Sequence, residues 1–151
     1  MGIFLKDINL KGKTALITGA TKGLGRGTAI AIAEAGGNII AVGRNQSELN
    51  TLKKDIKKLK VNYISFNCDV NNYSRMKSFI SKQKKLDILV NNAGTNMPES
   101  FLNVKKSSLE TLLNLNTKAV FNVAQLCANQ IIKLKVKGGS IINISSIFGL
   151  V

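Results

Sequence analysis

Histidine and tryptophan are absent from this sequence, and proline occurs once, at Pro98. Without an imidazole there is no histidine general base and no histidine metal ligand. The two cysteines, Cys68 and Cys127, lie too far apart in sequence to form a short ligand motif. Zinc sites and histidine-dependent catalysis are therefore excluded, and no metal is expected. Two reduced, buried thiols are the plain reading of the cysteines and point to a cytoplasmic protein. A lone proline leaves no proline-rich linker, and neither a repeat nor a low-complexity tract is present. No apolar run approaches the ~20 residues of a membrane span. The start, Met1-Gly2-Ile3-Phe4-Leu5-Lys6, lacks the long apolar core of a signal peptide. Gly2 invites a myristoyl group, but Lys6 stands where a hydroxyl residue is wanted. No membrane partner is expected.

Acidic residues are also scarce, 8 against 22 Lys and Arg, for a net charge of +14. Such an excess suggests a polyanion partner. All of the basic residues except Arg26, Arg44 and Arg75 are lysines, however, and many lie on helix-forming stretches such as Lys53, Lys54, Lys57, Lys58 and Lys60. No aromatic residues interleave with them as single-strand stacking requires. A lysine-rich solvated surface is the reading adopted, with no nucleic-acid partner.

What the 151 residues do contain, with 44% of them hydrophobic, is enough for one domain with a core, spanning 1–151. Its organising stretch is Thr18-Gly19-Ala20-Thr21-Lys22-Gly23-Leu24-Gly25. An apolar strand, Thr14 to Thr18, precedes it. A helix over Gly27–Ala35, with Leu24, Ala29, Ile30 and Ala33 inward, follows and stops at Gly36-Gly37. Gly19 allows a sharp turn, Gly23 a close ligand approach, and Gly25 close packing of helix on strand. The free N–H groups at the helix start favour an anion. The spacing is G-x-x-x-G-x-G, so a tight turn alone is the competing explanation.

Further strands are expected at Asn38–Gly43, Val61–Asn67, Leu86–Val90 and Ser140–Ile144. Between them run a helix from Asn45 with Glu48 as capping-box partner, a helix capped by Asn71 or Asn72 with Tyr73, Met76, Phe79 and Ile80 inward, and a long helical region over 107–135. That region is apolar at Leu109, Leu112, Leu113, Val120, Ala124, Ala128 and Ile131, which suggests burial against the sheet and against a second subunit. Apolar strands alternating with helices predict an α/β, Rossmann-type doubly wound parallel sheet of order 3-2-1-4-5. Ligands in such sheets sit at the carboxyl ends of the strands, where residues 18–25, 43–44, 69–70 and 91–94 and Ser145-Ser146 all fall.

Arg44 follows the second strand where a dinucleotide site carries either an acid for a ribose 2′-hydroxyl or an arginine for a 2′-phosphate. With Lys22 as a second cation, NADP is predicted over NAD. Asp69 can accept from an adenine amino group or serve as an acid at a helix start. Asn91-Asn92-Ala93-Gly94 is a turn, or else it pins a ribose and locks neighbouring strands. Asn116 interrupts an apolar helix and needs a hydrogen-bond partner there.

Taken together these motifs resemble the short-chain dehydrogenase/reductase family: Thr18 to Gly25, Asp69-Val70, Asn91 to Gly94, Asn116, and Ile142-Asn143-Ile144-Ser145-Ser146, in the family's order. The opening and the Asn91–Asn96 region look like 3-oxoacyl-carrier-protein reductases and gluconate-type dehydrogenases. The resemblance implies that Gly19, Gly23 and Gly25 hold a pyrophosphate and that Thr21 and Leu24 also bind the cofactor. Lys22 and Arg44 would contact the 2′-phosphate, Asp69 and Val70 the adenine, and Asn91, Ala93 and Gly94 the ribose. It also implies that Ser146 polarises a substrate carbonyl and Asn116 orders a relay water. A small carbonyl or alcohol substrate and a homo-oligomer follow from the same likeness.

The family's catalytic Tyr-x-x-x-Lys lies beyond its serine, and the sequence stops at Val151. Tyr63 lacks the lysine. Tyr73 and Lys77 match by letter but precede Ser146 in the wrong unit of the fold. The chain is therefore expected to be the N-terminal, cofactor-binding part of an NADP-dependent oxidoreductase, inactive alone, truncated after the fifth strand and leaving that strand as an exposed apolar edge; a non-catalytic nucleotide-binding module is the alternative.

Overall fold

The computed structural model describes residues 8–146. Five parallel strands, β1 (Thr14–Thr18), β2 (Asn38–Gly43), β3 (Tyr63–Asn67), β4 (Ile88–Asn91) and β5 (Ser140–Asn143), form one sheet in the order β3-β2-β1-β4-β5. The predicted sheet order is the observed one.

Alternation along the strands divides two cores between the two faces. Ala15, Ile17, Ile39 and Ala41 turn toward α1 (Gly23–Glu34) and α2 (Gln46–Lys57). Small residues Ala29 and Ala33 bring α1 close to the sheet, while Leu49, Leu52 and Ile56 form the inward stripe of α2. On the other face Leu16, Ile40, Val42 and Leu89 meet Met76 and Ile80 of α3 (Tyr73–Ile80) and Val123, Cys127 and Ile131 of α5 (Val120–Lys133). Burial on both sides explains why the central strands read as unbroken apolar runs.

Local signals account for most boundaries. Asn45 caps α2, its side-chain oxygen accepting from the N–H groups of Ser47 and Glu48 at 2.9 and 3.2 Å. Asn72 caps α3 through the N–H of Arg75 at 3.1 Å. Phe66 of β3 stacks on Phe79 of α3 at 4.0 Å, with the Arg75 guanidinium over Phe66.

Several expectations are corrected. The first helix begins at Gly23 rather than Gly27, so the glycines form its first turn. Leu24 is consequently on the solvent side, 73% exposed, and Tyr73 is likewise exposed rather than inward. The long region over 107–135 is not one helix. It comprises α4 (Lys106–Leu113), a π-helical segment (Asn114–Ala119) and α5. Leu109 and Leu113 of α4 are exposed.

Candidate functional site

The carboxyl ends of β1 and β4 are joined by side chains. Thr18 Oγ1 accepts from the N–H groups of Asn92 and Ala93, each at 3.0 Å. Asn92 Nδ2 donates to the carbonyls of Thr18 and Gly19 at 3.0 and 3.1 Å. Gly19 takes φ +62°, a left-handed turn that aims its carbonyl at Asn92. A Cβ on Gly25 would strike both the Asn92 amide and the Gly19 carbonyl oxygen. Gly25 therefore leaves room for an asparagine that stitches two strand ends, rather than only for helix-on-strand packing.

Beside this stitch lies a cleft of about 360 Å³. The glycine turn contributes Gly19, Thr21 and Lys22, and the end of β2 contributes Gly43, Arg44 and, one turn on, Glu48. Cys68, Asp69 and Val70 come from the end of β3, and Asn92, Ala93 and Gly94 from the end of β4. Lys22 caps α1 without a side-chain cap bond, and no acid stands in the first turn, so the helix start keeps its N–H groups for an anion. The Arg44 side chain is 76% exposed and lies 3.9 Å from an Asp69 carboxylate oxygen. Such an exposed pair is worth little to stability, and either partner can exchange it for a ligand.

Gly23 borders the turn with open space beside its α-carbon, so a ligand could pass close to its backbone. Asn91 is placed differently from its neighbours. Its side chain is buried and donates to the Val120 carbonyl at 3.2 Å and to Asn143 Oδ1 at 3.0 Å, tying β4 to α5 and β5. Ala93 and Gly94, not Asn91, line the cleft. Asn116 lies in the π-helical segment and grips Thr95 with both ends of its amide, accepting from the Thr95 N–H at 3.0 Å and donating to its carbonyl at 2.8 Å. Ser146 follows β5 at the same end of the sheet and is exposed.

Neither tyrosine lines the cleft. Tyr63 donates its hydroxyl to the Leu49 carbonyl at 2.9 Å, and burial pushes its pKa up to about 12. Burial also raises the Cys68 thiol, with Arg75 opposing and Asp69 adding to the shift, and pushes Cys127 to about 12. Both cysteines are free, buried thiols.

Asn92 and Thr18 are the residues that sequence reasoning left without an individual role. The paired asparagines next to a glycine were the available signal. A third such residue is Glu99, whose carboxylate accepts from the Lys105 N–H at 3.0 Å and the Ser108 hydroxyl at 2.9 Å and so holds the loop ahead of α4. Among the described residues, no helix is long and apolar enough to cross a membrane, and no three His, Cys, Asp or Glu residues cluster as metal ligands would.

The sequence profile of a family described as short chain dehydrogenase matches residues 13–151. A 2-dehydro-3-deoxy-D-gluconate 5-dehydrogenase of Dickeya dadantii is 37% identical over 148 residues, covering 95% of this chain and 57% of that protein. A 3-oxoacyl-[acyl-carrier-protein] reductase of Thermotoga maritima is 33% identical over 147 residues, covering 95% and 59%. Among solved structures, a short-chain dehydrogenase from Sphingobium yanoikuyae in complex with NADPH has a TM-score of 0.83 at 27% identity, covering 91% of this chain and 55% of that one. A 7α-hydroxysteroid dehydrogenase complexed with NADH and 7-oxo glycochenodeoxycholic acid has a TM-score of 0.87 at 31% identity, covering 95% and 57%. The chain thus spans 57–59% of the length of these curated relatives.

Proposed function

The chain belongs to the short-chain dehydrogenase family of NAD(P)-dependent oxidoreductases, and on that premise we propose that residues 1–151 are the NADP-binding part of an enzyme that interconverts a small carbonyl compound and its alcohol. The observation that carries the cofactor reading is a shared cleft. Lys22 and Arg44 rim the same space as the glycine turn and the ends of β2, β3 and β4. The residues fit a dinucleotide: a helix start without a side-chain cap for its diphosphate, an open approach beside Gly23, and two cations on the rim.

In this reading Gly19, Thr21, Gly23, Leu24 and Gly25 surround the diphosphate and Arg44 leaves Asp69 for the 2′-phosphate. Asp69 is then released to accept from the adenine amino group beside Val70. Ala93 and Gly94 face the ribose, and Asn91 supports them from behind. The nicotinamide cofactor, when bound, supplies the hydride. Ser146 donates its hydroxyl proton in a hydrogen bond to the substrate oxygen, and Asn116 holds the Thr95 backbone and a relay water beside it. The proton donor that the family places after this serine has no counterpart among the two tyrosines, so turnover is expected only from a protein that supplies it; losing such a donor costs ~10²–10⁴-fold. The free buried thiols Cys68 and Cys127 support a cytoplasmic setting.

NAD is the second reading, favoured by Glu48 on the same rim as Arg44, where an acid could take a ribose 2′-hydroxyl. Calorimetric titration of the chain with NADP⁺ and with NAD⁺ separates the two. The expected result is tighter binding of NADP⁺, with Arg44→Ala removing the preference by about tenfold or more. Equal affinities that Arg44→Ala leaves equal would overturn the NADP assignment.

A further inference from the structure

The end of the sheet opposite the nucleotide cleft carries a second cavity, of about 510 Å³. It opens at the amino ends of β1, β2 and β3, between Asn38, Asn62 and Ile64 on the sheet side and the loop Lys82-Gln83-Lys84-Lys85 that follows α3. Strand pairing places Thr14 opposite Asn38, and Ile39 opposite Tyr63, so this end is built by three adjacent strand starts.

Its floor is apolar and uncovered. Ile64 pairs with Ile40 on the sheet face packed by α3, yet it is 45% exposed. The rim is cationic. Lys82, Lys84 and Lys85 all line the cavity, and among the described residues no carboxylate lies within ion-pair distance of any of them. The nearby carboxylate of Asp87 is already committed to Lys13 and to the Thr14 N–H. The loop is anchored rather than loose: buried Gln130 donates to the Gln83 carbonyl at 2.6 Å and to that of Ser81 at 3.4 Å. Asn38 and Asn62 are also fixed, the Asn62 N–H donating to Asn38 Oδ1 at 3.0 Å. A fixed apolar floor with an unpaired cationic rim and amide groups at its edge matches a ligand that is apolar at one end and anionic at the other.

We propose that this cavity is a second ligand site, separate from the nucleotide cleft, for a small organic amphiphile. Its apolar body would lie on Ile64 and its carboxylate or phosphate would sit among Lys82, Lys84 and Lys85. Because β1 and β2 run the full length of the sheet between the two sites, the occupants bind at opposite ends without competing for space.

The test uses the fluorescent amphiphile anilinonaphthalene sulfonate, with decanoate and inorganic phosphate as competitors, on the chain with and without saturating NADP⁺. Expected are one saturable site, displacement by decanoate, no displacement by NADP⁺, and amide shifts confined to Asn62, Ile64 and Gln83 in an ¹⁵N-labelled sample. Lys82→Gln/Lys84→Gln/Lys85→Gln should weaken decanoate by about tenfold or more, and Ile64→Asn should weaken it independently while NADP⁺ binding stays unchanged in both. Displacement of the dye by NADP⁺, or unchanged decanoate affinity in the triple variant, overturns the proposal. Competition by phosphate as strong as that by decanoate overturns it too, since it would reduce the site to a diffuse cationic surface.

Discussion

Gly25 and Gly27 sit two positions apart in α1 and should respond oppositely to an added methyl group. At Gly25 the methyl meets the Gly19 carbonyl oxygen and the Asn92 amide, whereas at Gly27 nothing lies within 4 Å. Gly25→Ala is expected to cost about 1–3 kcal/mol, as overpacking against backbone does. Gly27→Ala should raise stability by about 1 kcal/mol through helix propensity alone. Urea midpoints of the two variants check both signs. The sequence marked Gly25 as a close-packing position. It did not show that the partner is Asn92, because that contact spans a separation only the folded sheet closes. Cys127 is raised from 9.0 to about 12 and Tyr63 from 10.0 to about 12, both by burial. The fold favours their neutral forms, so their contribution is complete below pH 9 and is lost as pH rises toward about 12. Stability measured against pH should fall across that window, and Cys127→Ala should flatten the lower part of the fall.

Among elements, helix exits give the sharpest contrast. The α1 helix leaves through Gly36 at φ +89°, with the N–H of Gly37 bonded to the Ile32 carbonyl. The α5 helix leaves by the same pattern, with the Val136 N–H bonded to the Ile131 carbonyl, but the left-handed residue is Lys135 at φ +54°. A lysine there bears a strain that glycine does not. Lys135→Gly should therefore raise the thermal midpoint, by the equivalent of about 1 kcal/mol. Glycine pairs, asparagine caps and apolar periodicity made the strands and first three helices legible. The π-helical segment was not, since apolar residues recur at helical spacing on both sides of it, from Leu109 to Leu113 and from Val120 to Ile131. Within it the Asn116 amide grips Thr95, a tertiary contact, and π turns recur at functional sites.

At the scale of the whole molecule, the two cores and the gathering of motif residues at one sheet end were readable because the central strands β1, β2 and β4 are mostly apolar and small or polar residues follow them. Which apolar side chains remain outside was not readable from periodicity. Val120 and Ala128, marked by their spacing as a subunit contact, are half-buried within the chain. The outward apolar positions of α5 are instead Phe121, 64% exposed, and Ile132, 74% exposed. If a homo-oligomer forms through this helix, Phe121→Glu and Ile132→Glu should each delay elution in gel filtration to the monomer position. A wild-type chain already eluting there would remove the idea.

Ile141, Ile142 and Ile144 are 42–47% exposed, and among the described residues nothing pairs with the outer edge of β5. Any excursion that frees this edge further presents sticky backbone to the next molecule before the sheet can re-form. Endurance on heating then becomes a matter of rate. The half-life of the folded chain will shorten with its own concentration, and an equilibrium free energy of unfolding will understate how quickly it is lost.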